Sequence, residues 1–393
     1  MSGSPAAAPV DGHCDARFAA VREAFRENFA VEDEVGAAVC VYVGGRCVVD
    51  LWGGHADAAR TRPWRRDTLV NAYSVGKGIL AVLVANLVER GQVELDAPVA
   101  KPWPEFAAAG KGGITFRTLL SHRAGLPAVR ERLPEEAAYE WERFCAALAA
   151  QSPWWEPGTA HGYHVNTLGF LVGEVVRRVT GCGVGDALQR NVCGPAGAEF
   201  WYGLPKPLHA RVAEICVASA SQPPPGPEQW ALAFPPTGDA EHDRMIWHCY
   251  FNPARASGIG SVNTQAWRLA AIPSTNGHGT ARGVAAIYSA FLRGGPGWAG
   301  PGVRAEATRI HSDGEDRVLA RPSRFGLGFQ LTQPSRPLGA GRGAFGHYGY
   351  GGSLGFADPD ADLAFAYLMN RPGLRWQTPR STRLVDAVHA CLA

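Results

Sequence analysis

The stretch NAYSVGKGILAVLVANLVERG, Asn71 to Gly91, decides how the rest of the chain is read. From Gly76 to Arg90 its composition and length predict a helix, and Gly91 stands where a left-handed cap closes one. The uninterrupted apolar run, Ile79 to Ala85, is far shorter than the ~18 residues a membrane span needs, so the helix is expected in a protein core. Ser74 and Lys77 precede that run at i and i+3, one turn apart on one face, within hydrogen-bonding reach. A serine hydroxyl is a poor nucleophile until a neighbour takes its proton. A lysine can take it only where desolvation or nearby cations keep the amine neutral. The helix N-terminus adds positive potential that favours an alkoxide at Ser74. A lone S-x-x-K is a weak signal, and a surface serine beside a solvated lysine is the bland alternative.

A rival nucleophile lies in GYGGSLG, Gly349 to Gly355, where Gly351-Gly352-Ser353-Leu354-Gly355 matches G-x-S-x-G. That motif works at a sharp strand-to-helix turn. Ser353 is followed instead by a short apolar strand, the turn Ala357–Ala361 and a second strand, Leu363 to Met369. Its glycines suit a close backbone approach better than a nucleophile elbow.

Outward from these stretches the pattern alternates by region. Phe18, Val21, Phe25 and Phe29 share one face of a helix over 16–30. Val39–Val43 and Cys47–Trp52 form a hairpin through Gly44-Gly45. The middle reads as helices, 137–150, 167–179 and 281–293, joined by irregular connections such as 222–238 that are expected to border a cleft. Strands return over 325–332, 351–356 and 363–369, and a helix over 381–392 ends the chain. The expected fold is α+β, with one antiparallel sheet built from 16–95 and 282–393 and a mostly helical lobe over 96–281.

The chain has 393 residues, 46% hydrophobic and 19% charged, enough for a large core. Its 38 basic and 36 acidic residues give a net charge of +2 without long runs of either sign, which offers no footprint for nucleic acid or an acidic membrane. A small-molecule partner is expected. The nine cysteines are scattered with no C-x-x-C, and no H-e-x-x-h spacing occurs, so reduced thiols, no metal and no cofactor are expected. The opening MSGSPAAAPVDGHCDARF has neither a basic nor an apolar leader segment, and a cytoplasmic location is the expectation.

Taken together, Ser74-Val75-Gly76-Lys77, Leu119–Pro127 (LLSHRAGLP), Trp155–Thr159 (WEPGT) with Gly162-Tyr163-His164, Ile272-Pro273 with Asn276–Arg282, and His347-Tyr348-Gly349 resemble, in order and spacing, the class C β-lactamase-like serine hydrolases. The likeness is greatest to the family VIII carboxylesterases and runs from about residue 20 to 390. It implies the β-lactamase/transpeptidase-like fold, with Ser74 as the acylated nucleophile, Lys77 as its general base and Tyr163 as a proton shuttle. His347, Tyr348 and Gly349 would lie on the strand beside the substrate. The N–H groups of Ser74 and of Tyr350, or by a one-residue shift Gly349, would form the oxyanion hole. Ser121, His122, His164 and His278 are expected to be structural, and Trp154, Trp155, Trp247 and Trp298 are candidates to line an acyl pocket.

Two departures stand out. The β-lactamases place an asparagine two residues after the tyrosine, where this chain has Val165 and then Asn166. Their Lys-Thr-Gly lysine, which pairs with a lactam carboxylate, is His347 here. The resemblance with these departures implies a serine carboxylesterase acting on small esters. The alternative is a transacylase that passes the acyl group from its donor to an amine or alcohol. A β-lactamase or a catalytically silent binding protein ranks lower.

Overall fold

The computed structural model of the protein describes residues 9–217 and 236–393. Most of the connection expected over 222–238 therefore lies outside the described residues. In chain order the strands are β1 (Val10–Cys14), β2 (Gly36–Val43), β3 (Arg46–Gly54), the short β4 (Val70–Asn71), β5 (Phe200–Trp201) and β6 (His278–Gly279), then β7 (Ser312–Asp316), β8 (Arg321–Phe325), β9 (Gln330–Leu331), β10 (Phe345–Tyr348), β11 (Leu354–Asp358) and β12 (Leu363–Met369). The helices of ten or more residues are α1 (Ala19–Val31), α2 (Val75–Glu89), α3 (Trp141–Ala150), α4 (Thr167–Thr180), α5 (Ala240–Phe251), α6 (Ala281–Arg293) and α7 (Pro379–Leu392).

Nine strands form one antiparallel sheet in the order β1-β3-β2-β12-β11-β10-β9-β8-β7. Strands from the two ends of the chain meet at β2 and β12, paired from Leu363 opposite Val43 to Met369 opposite Ala37. The alternation along β12 explains the layers on either side. Ala364, Ala366 and Leu368 belong to the core shared with α2 and α6, whereas Leu363, Phe365, Tyr367 and Met369 belong to the core under α1 and α7. Because both faces are covered, β12 is buried over its full length and reads as a continuous apolar run. The β2–β3 hairpin turns through Gly44 (φ 58°) and Gly45 (φ 76°), the pair of positive angles a primed turn demands.

Some sequence expectations are corrected. The strand expected over 325–332 is two strands, because the chain breaks at Gly326–Gly328 to send the N–H groups of Leu327 and Gly328 to the carbonyls of Ala307 and Leu120. The strand expected from 351 begins at Leu354, since Gly351 and Gly352 take φ of 74° and 114°. The helix expected from 137 starts at Trp141, after a short 3-10 turn at Glu135–Ala138. β1 and α5 were not foreseen. No described helix is long and apolar enough to cross a membrane.

Candidate active site

α2 enters the space between the sheet and the helices of the middle region, and the chain is strained two residues ahead of it. Tyr73 has φ 49°, a left-handed conformation costly for a bulky residue, and it delivers Ser74 to the first position ahead of α2. The hydroxyl of Ser74 opens onto a cavity of about 620 Å³. Two residues on, Gly76 lets the 272–276 segment press against the helix, for a Cβ there would lie 2.7 Å from the carbonyl oxygen of Pro273. That approach brings the next carbonyl, Ser274, to Lys77.

Lys77 is fully buried, and its Nζ lies 2.7 Å from the Val165 carbonyl, 2.9 Å from the Ser274 carbonyl and 3.2 Å from Ser74 Oγ. No carboxylate is among these partners. Burial holds the amine well below its usual pKa. In that neutral form the amine has two N–H groups and one lone pair. The two carbonyls can only accept, so they take the two protons, and the lone pair is left for the one partner that can donate, the Ser74 hydroxyl.

Tyr163 completes the group. Its backbone N–H donates to Asp316 Oδ1 (3.0 Å), and its ring stacks on Phe325 with centroids 5.9 Å apart. Lys77 Nζ sits 4.7 Å from the ring centroid. Burial raises the phenol's pKa, opposed in part by the neighbouring Ser74 hydroxyl, so Tyr163 is a phenol at neutral pH. Its hydroxyl is buried and completes no hydrogen bond within the protein, a donor without a partner beside the nucleophile.

Tyr350 packs edge-on against Tyr73, with ring centroids 5.4 Å apart, and both line the cavity together with Ser74. Gly349 donates its N–H to the Ser353 carbonyl at 2.7 Å and has none to spare. Among the described residues the N–H groups of Ser74 and Tyr350 donate to no protein acceptor. Ser353 itself is fully buried in the β10–β11 connection with its hydroxyl unpartnered, and it does not line the cavity.

The residues of the His347 triplet part company. His347 faces Lys77 and Tyr163, but burial, and then the Lys77 amine, push its pKa down to about 3. Its Nδ1 donates to the Tyr348 carbonyl (2.7 Å), so the ring is neutral and Nε2 is left as an acceptor. Tyr348 points through the sheet to the other face, where its hydroxyl donates to the Pro337 carbonyl at 2.9 Å, and its side chain cannot touch a substrate at Ser74. The tryptophans also need correction. None of Trp154, Trp155, Trp247 and Trp298 lines the cavity, whereas Trp376 does, together with Val165, Tyr250, Phe251 and Ile259. Asn166 sends its Nδ2 to the Cys249 carbonyl and Ser257 Oγ, away from Lys77, and Val165 serves the site through its backbone.

His122, His164 and His278 are buried, and two of them hold main chain: His122 Nδ1 accepts from the His164 N–H, and His164 Nε2 accepts from Leu126 N–H. The sequence reading missed the two carbonyls that hold Lys77, because a main-chain carbonyl carries no side-chain signature. It also missed Asp316, which takes N–H groups from Tyr163, Val318 and Leu319 and a hydroxyl from Ser323. Among the described residues no cluster of side chains could hold a metal ion.

A match to the family described as Beta-lactamase covers residues 21–390. The chain belongs to the β-lactamase family. Within it, the chain is 39% identical to a family VIII carboxylesterase of known structure, with a TM-score of 0.87 over 98% of this chain and all of that one. It is 37% identical to a penicillin-binding protein homolog from Caulobacter crescentus, with a TM-score of 0.86 over the same 98% and the whole of that chain. It is also 32% identical to the esterase/beta-lactamase LipL of Mycobacterium tuberculosis (strain ATCC 25618 / H37Rv), across 94% of this chain and 85% of the relative. This β-lactamase-family chain has the family's large antiparallel sheet and, in Ser74, Lys77 and Tyr163, a serine, lysine and tyrosine gathered at one cavity.

Proposed function

We propose that the protein is a serine carboxylesterase that works through an acyl-enzyme on Ser74. The observation that carries this reading is the placement of Lys77, whose buried Nζ lies 3.2 Å from Ser74 Oγ with two carbonyls, and no carboxylate, as its other partners. Lys77 takes the proton as Ser74 Oγ attacks the ester carbonyl. The N–H groups of Ser74 and Tyr350 stabilise the oxyanion, a contribution of roughly 3–4 kcal/mol per donor. The proton reaches the departing alkoxide through Tyr163, whose buried hydroxyl lacks any other partner. Water then attacks the acyl-enzyme, the same groups take its proton and return it to Ser74 Oγ as the ester bond to the serine breaks, and the acid is released.

The similarity to a family VIII carboxylesterase supports ester hydrolysis. His347 supports esters over lactams: it is buried and neutral, and so provides no cation where the β-lactamases fix the lactam carboxylate. The test is a side-by-side measurement of kcat/KM on p-nitrophenyl butyrate and nitrocefin, with Ser74→Ala protein as blank and intact mass read during turnover. The expected result is an acyl adduct and at least a hundredfold preference for the ester. Comparable constants for the two overturn the ranking, and addition of an amine or alcohol reveals whether the acyl group goes to water or to that acceptor.

A further inference from the structure

The cavity in front of Ser74 is larger than a short-chain ester requires and is charged in one sense. At about 620 Å³ it falls within the roughly 300–1,000 Å³ range of pockets that enclose drug-sized ligands. Its lining is largely aromatic and aliphatic. Two arginines, Arg321 and Arg375, stand in that lining, and among the described residues it contains no aspartate or glutamate. Neither guanidinium forms an ion pair or hydrogen bond with a described residue.

The guanidinium of Arg321, at the start of β8, lies 4.9 Å from the centre of the ring of Trp376, which lines the same cavity. The acidic group whose charge reaches it, Asp316, is saturated by three N–H groups and the Ser323 hydroxyl, and Arg336 adds a further positive charge. Two cations against an apolar wall, with no ion-pair partner among the described residues, are stabilised by an anion brought in with the ligand. An arginine fork suits a planar carboxylate best.

We propose that the preferred substrate is a bulky ester that carries a carboxylate remote from its scissile bond, received by Arg321 with Arg375 beside it. This deepens the esterase reading and shares its nucleophile, yet it concerns recognition and is measurable without turnover.

Two matched pairs of probes test it. Mono-p-nitrophenyl suberate against p-nitrophenyl octanoate places the charge on the acyl side, and 4-octanoyloxybenzoate against phenyl octanoate places it on the leaving-group side. The carboxylated member of at least one pair is expected to show a kcat/KM roughly tenfold higher at low salt, in line with a charge-assisted contact at a partly exposed site. Arg321→Gln should draw that ratio toward one, and the double variant with Arg375→Gln should abolish it. Calorimetric binding of the same probes to Ser74→Ala protein reads recognition alone. An Arg321-dependent preference there, without ester cleavage by the wild type, keeps the carboxylate recognition and rejects the esterase. Cleavage of both pairs with no preference for charge, or a ratio that the variants leave unchanged, overturns the inference and keeps the esterase.

Discussion

Lys77 and Tyr163 handle one proton in one step, and their replacements should behave as a unit. Lys77→Ala and Tyr163→Phe are each expected to slow acylation by the ~10² to 10⁴ typical of general acid–base groups. The double variant should be far less impaired than the product of the two losses, as read by burst kinetics. Lys77→Arg should not rescue, because a guanidinium has no lone pair to offer at any working pH. The depressed pKa of Lys77 has a definite sign in a pH profile. The neutral amine is the active form, so kcat/KM falls on the acid side as the amine protonates and holds at pH values well below the usual lysine range. Ser353→Ala should keep most of the activity in the same assay. The serine and lysine were legible in the sequence because the chemistry resides in their side chains and their spacing is helical. The partners that make the lysine a base were not, since Val165 and Ser274 act through carbonyls that any residue possesses.

At the scale of elements, the chain's two ends are tied together by a buried ion pair. Glu34, just before β2, accepts from Arg380 in the first turn of α7 at 2.7 Å, and it also accepts from the Tyr367 hydroxyl of β12. Arg380 donates a second bond to the Arg371 carbonyl at 2.8 Å. Arg380→Met removes the cation and leaves a buried carboxylate, for which about 3–5 kcal/mol of lost stability is typical. Chemical denaturation should show that loss, while kcat of the folded fraction stays near the wild-type value. Helices with clear amphipathic or capped patterns, such as α2, α6 and α7, were placed from sequence to within two residues. α5 was missed because its core side, Met245, Ile246, Cys249 and Phe251, is interleaved with charged and histidine residues that blur the period. The strands at β8–β9 were merged because the break at Gly326–Gly328 is imposed by distant carbonyls, a cause that no local window contains.

For the whole molecule, the buried histidines set the response to acid. His164 is pushed down to about 4, and His278 and His347 to about 3, each chiefly by burial. Unfolded histidine titrates near 6.5. Between these values the unfolded chain binds protons that the folded chain refuses, so stability rises with pH across the window and levels off above about pH 7. At pH 5 each of the three costs on the order of 2 kcal/mol relative to pH 7.5. Glu34, whose carboxyl burial raises to about 7, works in the opposite sense as a single group. Thermal melts are therefore expected to show a marked fall in Tm from pH 7.5 to pH 5, and a flat Tm between those values would refute this account. The overall architecture was legible in advance, because both ends of the chain carry strands and the middle carries helices. The charge of the cavity was not, since Arg321, Arg375 and Trp376 look like ordinary surface residues until the fold gathers them.

The pairing of β2 with β12 also has a consequence for how the protein is made. A ribosome makes β2 and α2 long before β12, the strand that pairs with β2 inside the sheet. Until then the β2–β3 hairpin has an open edge, and the core that seats the nucleophile helix lacks the face it packs on. Nascent chains should consequently be protease-sensitive and unable to react with an acylating probe. Both properties should switch together once β12 has been made, so that the reactive serine is armed only then.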